Sequence, residues 1–552
     1  MDSPQIRLKE CLLSTLLTFL LVSNVAVAVS AQASKDSAET ALTNAISLET
    51  IRETTAALSA DDMEGRGTAQ AGGDKAAQYI ADRFAKIGLK PLGTKDSYLQ
   101  RIKFRESEIL PESVLKIGDE ALKLGSEFVF TPPTSSEKHT GGRMVFIAYG
   151  IVSSQLKRND VGTGSLQGNV AVMIEGPPKN VDKASWKKVH AQSTIISGLV
   201  RQGVSGIIFV SNGTEEHPYS ETADYLTRRQ VDLADAEEVP EFVPPFAMVS
   251  NAAAEKLFAS SGVTLSDALA KAEQEHFTPI DLKKSASITV RLRKDKGAGS
   301  NVVGLLEGSD PVLKSEAVIY SAHYDAWGTT NGNHVFHGAA DNGLGVGQMM
   351  AVAQAFAASA TKPRRSIIFM AVTGEEYGLY GSKYWVDHPT WKLKNVAANL
   401  NFDGMGTEVY GPVGTLVGYG ADHSTLGELL GSVASTASLK VIPDPMPDEK
   451  SFYRSDHYSF AKKGVPSLML LGAPAGDPKV WIERMKTWEK TDYHQPTDTI
   501  RPEWNWEGPK TVAVVGAVMG MRVANSDQMP SWLSASPFNR ERGTNAAPPP
   551  EP

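Results

Sequence analysis

The feature that most constrains the fold is an apolar run that ends in two adjacent acids. Ile367 to Val372 has the composition of a buried strand, and Glu375 and Glu376 follow it almost at once. Two neighbouring carboxylates at such a strand end repel each other and are costly to remove from water. A positive group that neutralises them offsets this cost. A bound metal ion would neutralise them, with one acid as ligand and the other as proton carrier. A chain that folds this way needs further ligands near the same strand end.

Strand-like and helix-like segments alternate from residue 287 onward. The predicted strands are 288–292, 300–306, 317–322, 367–372, 397–402 and 466–471, with predicted helices at 345–358 and 426–437. This order predicts an α/β fold with a mixed, mostly parallel sheet flanked by helices. Ligands of such sheets bind beyond the carboxyl ends of the strands.

Side chains of the metal-ligating type follow several of these strands. They stand in His323-Tyr324-Asp325, in Gly338-Ala339-Ala340-Asp341-Asn342-Gly343, in Glu375-Glu376, in Asp403-Gly404 and in Asp492-Tyr493-His494-Gln495-Pro496-Thr497-Asp498. Parallel strand ends lie along one edge of a sheet, so these groups can converge despite their separation in sequence. Each histidine or acid alone is more often a structural residue, whereas the ordered set favours a metal site.

The ordered motifs resemble those of the M28 family of co-catalytic zinc peptidases. The resemblance covers roughly residues 302–499 and lies in HxD, G-A-x-D-N, GEExGLxGS, N-x-D and Y-H-x-P-x-D, with a looser match at 63–91. It implies the zinc-dependent exopeptidase fold. The middle of the chain resembles a protease-associated (PA) domain, on the weaker basis of segments 149–151, 168–172 and 202–208.

Carried over residue by residue, the resemblance implies two zinc ions and a general base. Asp341 would bridge the ions, His323 and Asp403 would complete the ligands of one, and Glu376 and His494 those of the other. Glu375 would take the proton of the attacking water.

Two further residues have implied or suggested roles. Asp325 would hold the free imidazole nitrogen of His323, which fixes the tautomer and direction of the ring. Tyr453 is a candidate to hydrogen-bond the oxyanion, a role that a phenol can fill.

The N-terminal segment predicts export. Arg7 and Lys9 precede an apolar run from Leu12 to Val29, and small residues then offer a cleavage site near residue 33. Once this signal is removed, we expect no stable membrane span. The single cysteine, Cys11, lies within the signal, so the mature chain would lack disulfides. This absence favours a bacterial periplasmic or extracellular location.

These patterns predict five regions. They are a signal peptide at 1–33, the start of the catalytic domain at 34–118, a PA-like β-rich insert at 119–285, the main catalytic domain at 286–527, and a polar, proline-rich tail at 528–552 that we expect to be disordered. The acids outnumber the bases by 63 to 55, which argues against a nucleic-acid partner.

The predicted function is that of an exported aminopeptidase acting on peptides. A carboxypeptidase of the same fold, acting on acidic C-termini, is an alternative. It would need a positively charged arginine or lysine in the pocket, for which Arg454 is the candidate. Glutaminyl cyclisation, which uses this fold with one zinc ion, is a further alternative. The presence of Asp341 and of both glutamates, as in a two-metal site, argues against it. A catalytically inactive binding protein built around the PA-like insert is the alternative from a different class. The preferred N-terminal residue and the oligomeric state do not follow from the sequence.

Overall fold

The computed structural model describes residues 37–132, 134, 136–188, 191–212, 218–330, 334–404, 406 and 408–546. The chain divides into two compact units, one formed by Met1–Lys103 with Ala298–Pro552 and the other by Phe104–Gly297. The predicted insert, 119–285, falls inside the second unit. The chain passes between the units within two continuous strands, Leu99–Ile109 and Leu292–Leu306, where composition marks no boundary. The predicted signal peptide and Cys11 lie outside the described residues.

The first unit contains a mixed sheet whose centre is parallel. Its strands, in chain order, are β1 (Leu99–Ile109), β2 (Leu292–Leu306), β3 (Ala317–His323), β4 (Ser366–Val372), β5 (Val396–Phe402), β6 (Val413–Tyr419), β7 (Lys440–Ile442) and β8 (Ser467–Pro474). They lie side by side in the order β1-β2-β4-β3-β5-β8-β6-β7. The four central strands β4, β3, β5 and β8 are parallel, whereas β2 and β6 run antiparallel to β4 and β8. The predicted mixed, mostly parallel sheet is confirmed.

Eight α-helices of this unit receive labels. They are α1 (Leu48–Leu58), α2 (Ala71–Ile87), α3 (Gly345–Ala358), α4 (Tyr380–Asp387), α5 (Leu426–Thr436), α6 (His457–Lys462), α7 (Pro478–Thr491) and α8 (Glu507–Asn525). Residues 37–45 are also helical. Shorter elements are the helical turns Asp61–Arg66, Leu313–Ser315, Ala339–Leu344, Leu393–Asn395, Glu408–Tyr410, Pro447–Glu449 and Ser451–Tyr453, and the strands Lys90–Pro91, Gly328–Thr329 and Val335–Phe336.

The core fixes the central strands against one another. The Tyr320 ring on β3 stacks between Phe369 on β4, at 5.4 Å, and Phe402 on β5, at 6.0 Å. Stacked aromatic pairs contribute beyond the area that they bury. Helix α3 covers this face, and α1 and α8 pack against α3. On the other face, Trp385 of α4 and Phe460 of α6 join a buried cluster with residues of β3 and β4. Helices therefore flank the sheet, and the strand ends have fixed positions.

The second unit is built on an eight-stranded sheet of its own. In spatial order its strands are Glu120–Ala121, Val114–Ile117, Ile280–Val290, Lys138–Phe146, Val170–Ile174, Gly206–Val210, Phe246–Val249 and Phe128–Thr131. Its helices are Lys183–Lys188, Ala191–Arg201, Tyr219–Thr227, Asn251–Phe258 and Leu265–Ala272, and smaller strands are Val152–Ser153, Arg158–Asn159 and Gln230–Leu233. The β-rich character with a few helices agrees with the sequence pattern, while the PA identity stays a prediction.

The predicted disorder from residue 528 is wrong for the described part of the tail, 528–546. Trp532 is 8% exposed and Phe538 is 0% exposed. The Trp532 ring N–H donates to the Gly464 carbonyl at 2.9 Å, and the Phe538 ring packs on Phe452 and Tyr458. Two aromatic side chains are enough to hold a segment whose composition is otherwise that of a disordered chain. Residues 547–552 lie outside the described range.

Among the described helices, none combines the length and the apolar character that a membrane span requires.

Candidate metal centre

Three neighbouring strands deliver the predicted ligands to one edge of the sheet. His323 is the last residue of β3, Glu375 and Glu376 follow β4, and Asp403 directly follows β5. In the β3–β4 register His323 pairs with Val372, so the loop that carries the two glutamates begins beside the histidine. The convergence expected from parallel strands therefore occurs.

Asp341 occupies the middle of the cluster. Its Oδ1 lies 3.2 Å from His323 Nε2, and its Oδ2 lies 3.4 Å from His494 Nε2. Each carboxylate oxygen thus faces a different imidazole, which is the arrangement that a ligand shared between two ions requires.

The other ligand-type groups fall on either side of Asp341. His323 Nε2 is 3.3 Å from Asp403 Oδ1, and His494 Nε2 is 2.8 Å from Glu376 Oε2. Glu375 is more distant, with Oε2 at 3.9 Å from His323 Nε2. Two sets of donor atoms lie within 4.8 Å of one another and could each hold an ion: His323 with Glu375 and Asp403, and His323 with Asp341 and Glu376. The structure brings together all five predicted ligands and the predicted base.

The electrostatics of the bare polypeptide favour cations in this cluster. Burial raises the pKa of Glu376 to about 7 and raises that of Glu375 well above its usual range. Burial lowers the pKa of His494, but Glu376 and Asp341 outweigh it and bring the value to about 9. His323 responds in the same way to Glu375 and Asp403. The raised pKa values mean that, without metal, these histidines and glutamates bind protons more strongly than usual. Metal binding would displace those protons.

Asp325 contacts His323, although its carboxylate is not the nearest atom. The Nδ1 of His323 is 3.2 Å from the Asp325 backbone carbonyl and 3.8 Å from the carboxylate. That carboxylate instead accepts from the Thr68 hydroxyl at 2.8 Å and from the Glu375 backbone N–H at 3.2 Å. Asp325 therefore links the histidine loop to the loop of the general-base candidate.

Asp498 holds the loop that carries Asp341. Its Oδ1 accepts the Ala340 N–H at 2.9 Å and its Oδ2 accepts the Asp341 N–H at 3.0 Å. Burial raises the Asp498 pKa to about 7. The sequence shows Asp498 only as the last letter of a motif, with no assigned role, because its partners lie more than 150 residues earlier in the chain.

Arg66 is a second residue whose role the sequence did not reveal. Its side chain is fully buried, and its guanidinium donates to four backbone carbonyls, those of Leu58, Tyr324, His337 and Gly338, at 2.6–2.8 Å. These carbonyls come from the end of α1, from the loop after β3 and from the approach to Asp341. The polar, glycine-containing segment Ser59–Gly67 has the composition of a loop that packs against another part of the chain. The sequence does not indicate which part of the chain it contacts.

Asn342 ties Asp341 to the loop after β5. Its side-chain oxygen accepts the N–H groups of Gly345 and Gly404, each at 3.0 Å, and its amide donates to the Phe402 carbonyl at 3.0 Å. The residue next to Asp341 therefore also positions Asp403. Leu344, which follows this loop, is buried in the core.

In the described part of the chain, Tyr453 is not among the residues that line the pocket over the cluster. The Tyr453 ring packs edge-on against Phe452 and Tyr458 at 5.3 and 5.1 Å. The phenol that lines the pocket over His323, Asp341 and Glu375 is Tyr493, whose ring stacks on His494 at 3.6 Å. The oxyanion role of Tyr453 stays a prediction without support from its position.

The same pocket has a basic residue on its wall. Arg454 lines it together with Ser451, Ser455 and Tyr493. The Arg454 guanidinium donates to the Tyr493 hydroxyl at 3.3 Å and lies 3.6 Å from the Glu449 carboxylate.

The sequence comparisons find a family match over the part of the chain that contains the site. The model of Peptidase family M28 matches residues 301–518, which contain all these candidate ligands. A vacuolar membrane protease of Vanderwaltozyma polyspora is 31% identical over 195 residues, 34% of this chain and 17% of that protein. Aminopeptidase YwaD of Bacillus subtilis is 30% identical over 208 residues, 36% of this chain and 39% of that protein. The matches thus span less than two fifths of either relative.

Solved structures show the same fold over most of the chain. An aminopeptidase from Aneurinibacillus sp. strain AM-1 aligns with a TM-score of 0.59 at 18% identity, covering 89% of this chain and 97% of that one. BSAP, a zinc aminopeptidase from Bacillus subtilis, aligns with a TM-score of 0.52 at 18% identity, covering 86% and 94%. At this identity the likeness establishes the fold.

Proposed function

The chain contains a peptidase family M28 domain at residues 301–518, and on that premise we propose that it is an exported di-zinc aminopeptidase that removes N-terminal residues from peptides. The observation that carries this proposal is the position of Asp341, whose two oxygens face His323 and His494 separately. Four carboxylates and two imidazoles surround this point, which is a donor set that zinc accepts.

The residues present suit two ions. His323 and Asp403 would hold one, Glu376 and His494 the other, and Asp341 both. The three ligand carboxylates would offset three of the four positive charges of two zinc ions, and the nearby Glu375 would offset the fourth. The raised pKa values of His323 and His494 support a site that favours positive charge. Two bound zinc ions would polarise the scissile carbonyl and lower the pKa of a water.

Glu375 is the proposed proton carrier. It sits at the edge of the cluster, 3.9 Å from His323, whereas Glu376 makes the close ligand-type contact with His494. Its backbone N–H donates to Asp325, so the loop that carries it is fixed relative to His323. In this position the carboxylate would take a proton from water and pass it to the leaving amine.

We also propose that the chain is exported to a bacterial periplasm or medium. The support is the apolar run from Leu12 to Val29 with Arg7 and Lys9 before it. Sequencing the N-terminus of the protein recovered from periplasmic and medium fractions tests this, with a start near Gln32 or Ser34 expected. Recovery of the intact N-terminus from the cytoplasm would contradict it.

The test of the reaction compares free and blocked peptides. An aminopeptidase releases leucine from leucyl-glycyl-glutamate and leaves its N-acetyl derivative intact. A carboxypeptidase acting on acidic C-termini, which Arg454 on the pocket wall keeps as the second candidate, would release glutamate from both. Hydrolysis of neither peptide by the zinc-loaded chain would favour the binding-protein alternative. Product identification by mass spectrometry separates these outcomes.

A further inference from the structure

The pocket over the metal-site residues is lined by charges of both signs. Its lining includes the carboxylates of Asp341, Glu375 and Asp403. Among its lining residues, all within the described part of the chain, Arg454 is the single lysine or arginine. A pocket lined by acids and by a guanidinium complements a ligand that carries both charges.

Arg454 retains capacity for another partner. A guanidinium has five N–H donors, and the described residues engage it in one hydrogen bond, to the Tyr493 hydroxyl. Its ion pair with Glu449 is long, at 3.6 Å, and both side chains are about half exposed, at 45% and 48%. Exposed ion pairs of this kind contribute little to stability. A ligand carboxylate can therefore compete with Glu449 for the Arg454 guanidinium.

Arg454 also has a fixed relation to the metal site. Its hydrogen-bond partner, Tyr493, directly precedes His494 and stacks on that imidazole at 3.6 Å. The planar fork of an arginine matches a carboxylate with two parallel hydrogen bonds. The guanidinium is therefore hydrogen-bonded to a residue whose ring contacts the candidate metal ligand His494.

We propose that Arg454 binds a carboxylate of the substrate, so that the enzyme prefers short peptides with a free C-terminus close to the scissile bond. This inference rests on the proposed aminopeptidase function. Two extended residues span at most about 7 Å, so the amine and the carboxylate of a dipeptide can occupy one pocket. The amine then faces the acids and the carboxylate faces Arg454. An acidic side chain on the substrate offers the same chemistry and is the alternative source.

The experiment compares leucyl-alanine with its C-terminal amide, using the zinc-loaded wild type, Arg454→Gln, Arg454→Lys and the surface control Lys450→Gln. We expect the wild type and the control to prefer the free dipeptide by kcat/KM. In Arg454→Gln the ratio of kcat/KM for the free dipeptide to that for the amide should fall roughly 10- to 100-fold, because the charged hydrogen bond to the carboxylate is removed. Arg454→Lys should recover part of the loss, since it keeps the charge without the fork.

Additional substrates distinguish the sources of the carboxylate. Preference for glutamyl- over glutaminyl-p-nitroanilide, lost in Arg454→Gln, would assign the acidic side chain and still support the carboxylate site. Equal cleavage of all paired substrates by wild type and Arg454→Gln would overturn the inference while leaving the aminopeptidase function standing. No hydrolysis of any of them by the wild type would overturn the proposed function and this inference with it.

Discussion

At the residue scale, the two adjacent glutamates have the same side chain but make different contacts. Glu376 lies 2.8 Å from His494, whereas Glu375 approaches its nearest imidazole, His323, only to 3.9 Å. Both are buried, and burial raises the pKa of each. The geometry therefore supports the proposed division between a ligand, Glu376, and a proton carrier, Glu375.

Glu375→Gln tests this separation. We expect the variant to bind two zinc equivalents and to lose about 10²- to 10⁴-fold in kcat, because the amide cannot take a proton. Metal analysis and turnover of leucine p-nitroanilide measure both quantities. Glu376→Gln serves as the comparison and should lose metal. Full activity in Glu375→Gln would remove that residue from the mechanism.

The sequence predicted the candidate ligands that the structure brings together, but not the residues that hold them in place. The ligands carry signals of their own, namely charge or imidazole directly after an apolar run. Arg66 and Asp498 act through backbone groups of distant loops, and such contacts leave no local pattern. Tyr493 was visible as part of a motif, but which of the two nearby phenols lines the pocket depends on how residues 451–458 pack.

At the element scale, the predicted strands and helices were accurate where apolar patterns are long. Ile367–Val372 lies within the observed Ser366–Val372, and helix α3 has the predicted limits, Gly345–Ala358. The tail was mispredicted because its stabilising contacts are made with residues distant in sequence, such as the hydrogen bonds from the Leu533 N–H to the His423 carbonyl and from the Gly543 N–H to the Lys463 carbonyl. Trp532 and Phe538 insert into a cluster with Phe452 and Tyr458, which flank Tyr453 and Arg454.

Phe538→Ala measures what the tail contributes. Removing a fully buried phenyl ring should lower the free energy of unfolding by about 3–5 kcal/mol. Leu533→Ala, in the same segment but 40% exposed, is the matched control and should cost under about 1 kcal/mol. Urea unfolding provides the comparison. Equal stability of the two variants would show that the tail does not pack as described.

Glu408, in the turn Glu408–Tyr410, gives a pH dependence to the packing of α3 against β8. Its carboxylate accepts from Gln348 of α3 at 2.6 Å and from the Gly472 N–H of β8 at 3.1 Å. Burial raises its pKa from 4.5 to about 8. Between these values the unfolded chain releases the proton that the folded chain keeps, so stability falls as pH rises from about 5 to 8.

Glu408→Gln should remove this contribution. The decrease in unfolding free energy between pH 5 and pH 8 should be smaller in the variant, by on the order of 3 kcal/mol. The prediction concerns how the free energy of unfolding changes with pH, and not its absolute value. Glu503→Gln, at an exposed position, is the control. Denaturant titrations at several pH values measure the slope, and parallel curves for Glu408→Gln and wild type would refute the assignment.

At the scale of the whole molecule, one compact unit carries all the candidate chemistry. The ligands, the base candidate and the supporting residues Arg66 and Asp498 belong to the unit formed by 1–103 and 298–552. The order of strands and helices was enough to predict this unit. The limits of the second unit were not predictable from composition, because the chain enters and leaves it within continuous strands.

Zinc-edge anomalous diffraction from crystals of the zinc-loaded chain tests the central claim most directly. Two peaks roughly 3.5–4 Å apart are expected, with the Asp341 carboxylate between them. One peak should adjoin His323 and Asp403 and the other Glu376 and His494. A single peak, or a pair of peaks away from Asp341, would contradict the proposed two-metal centre.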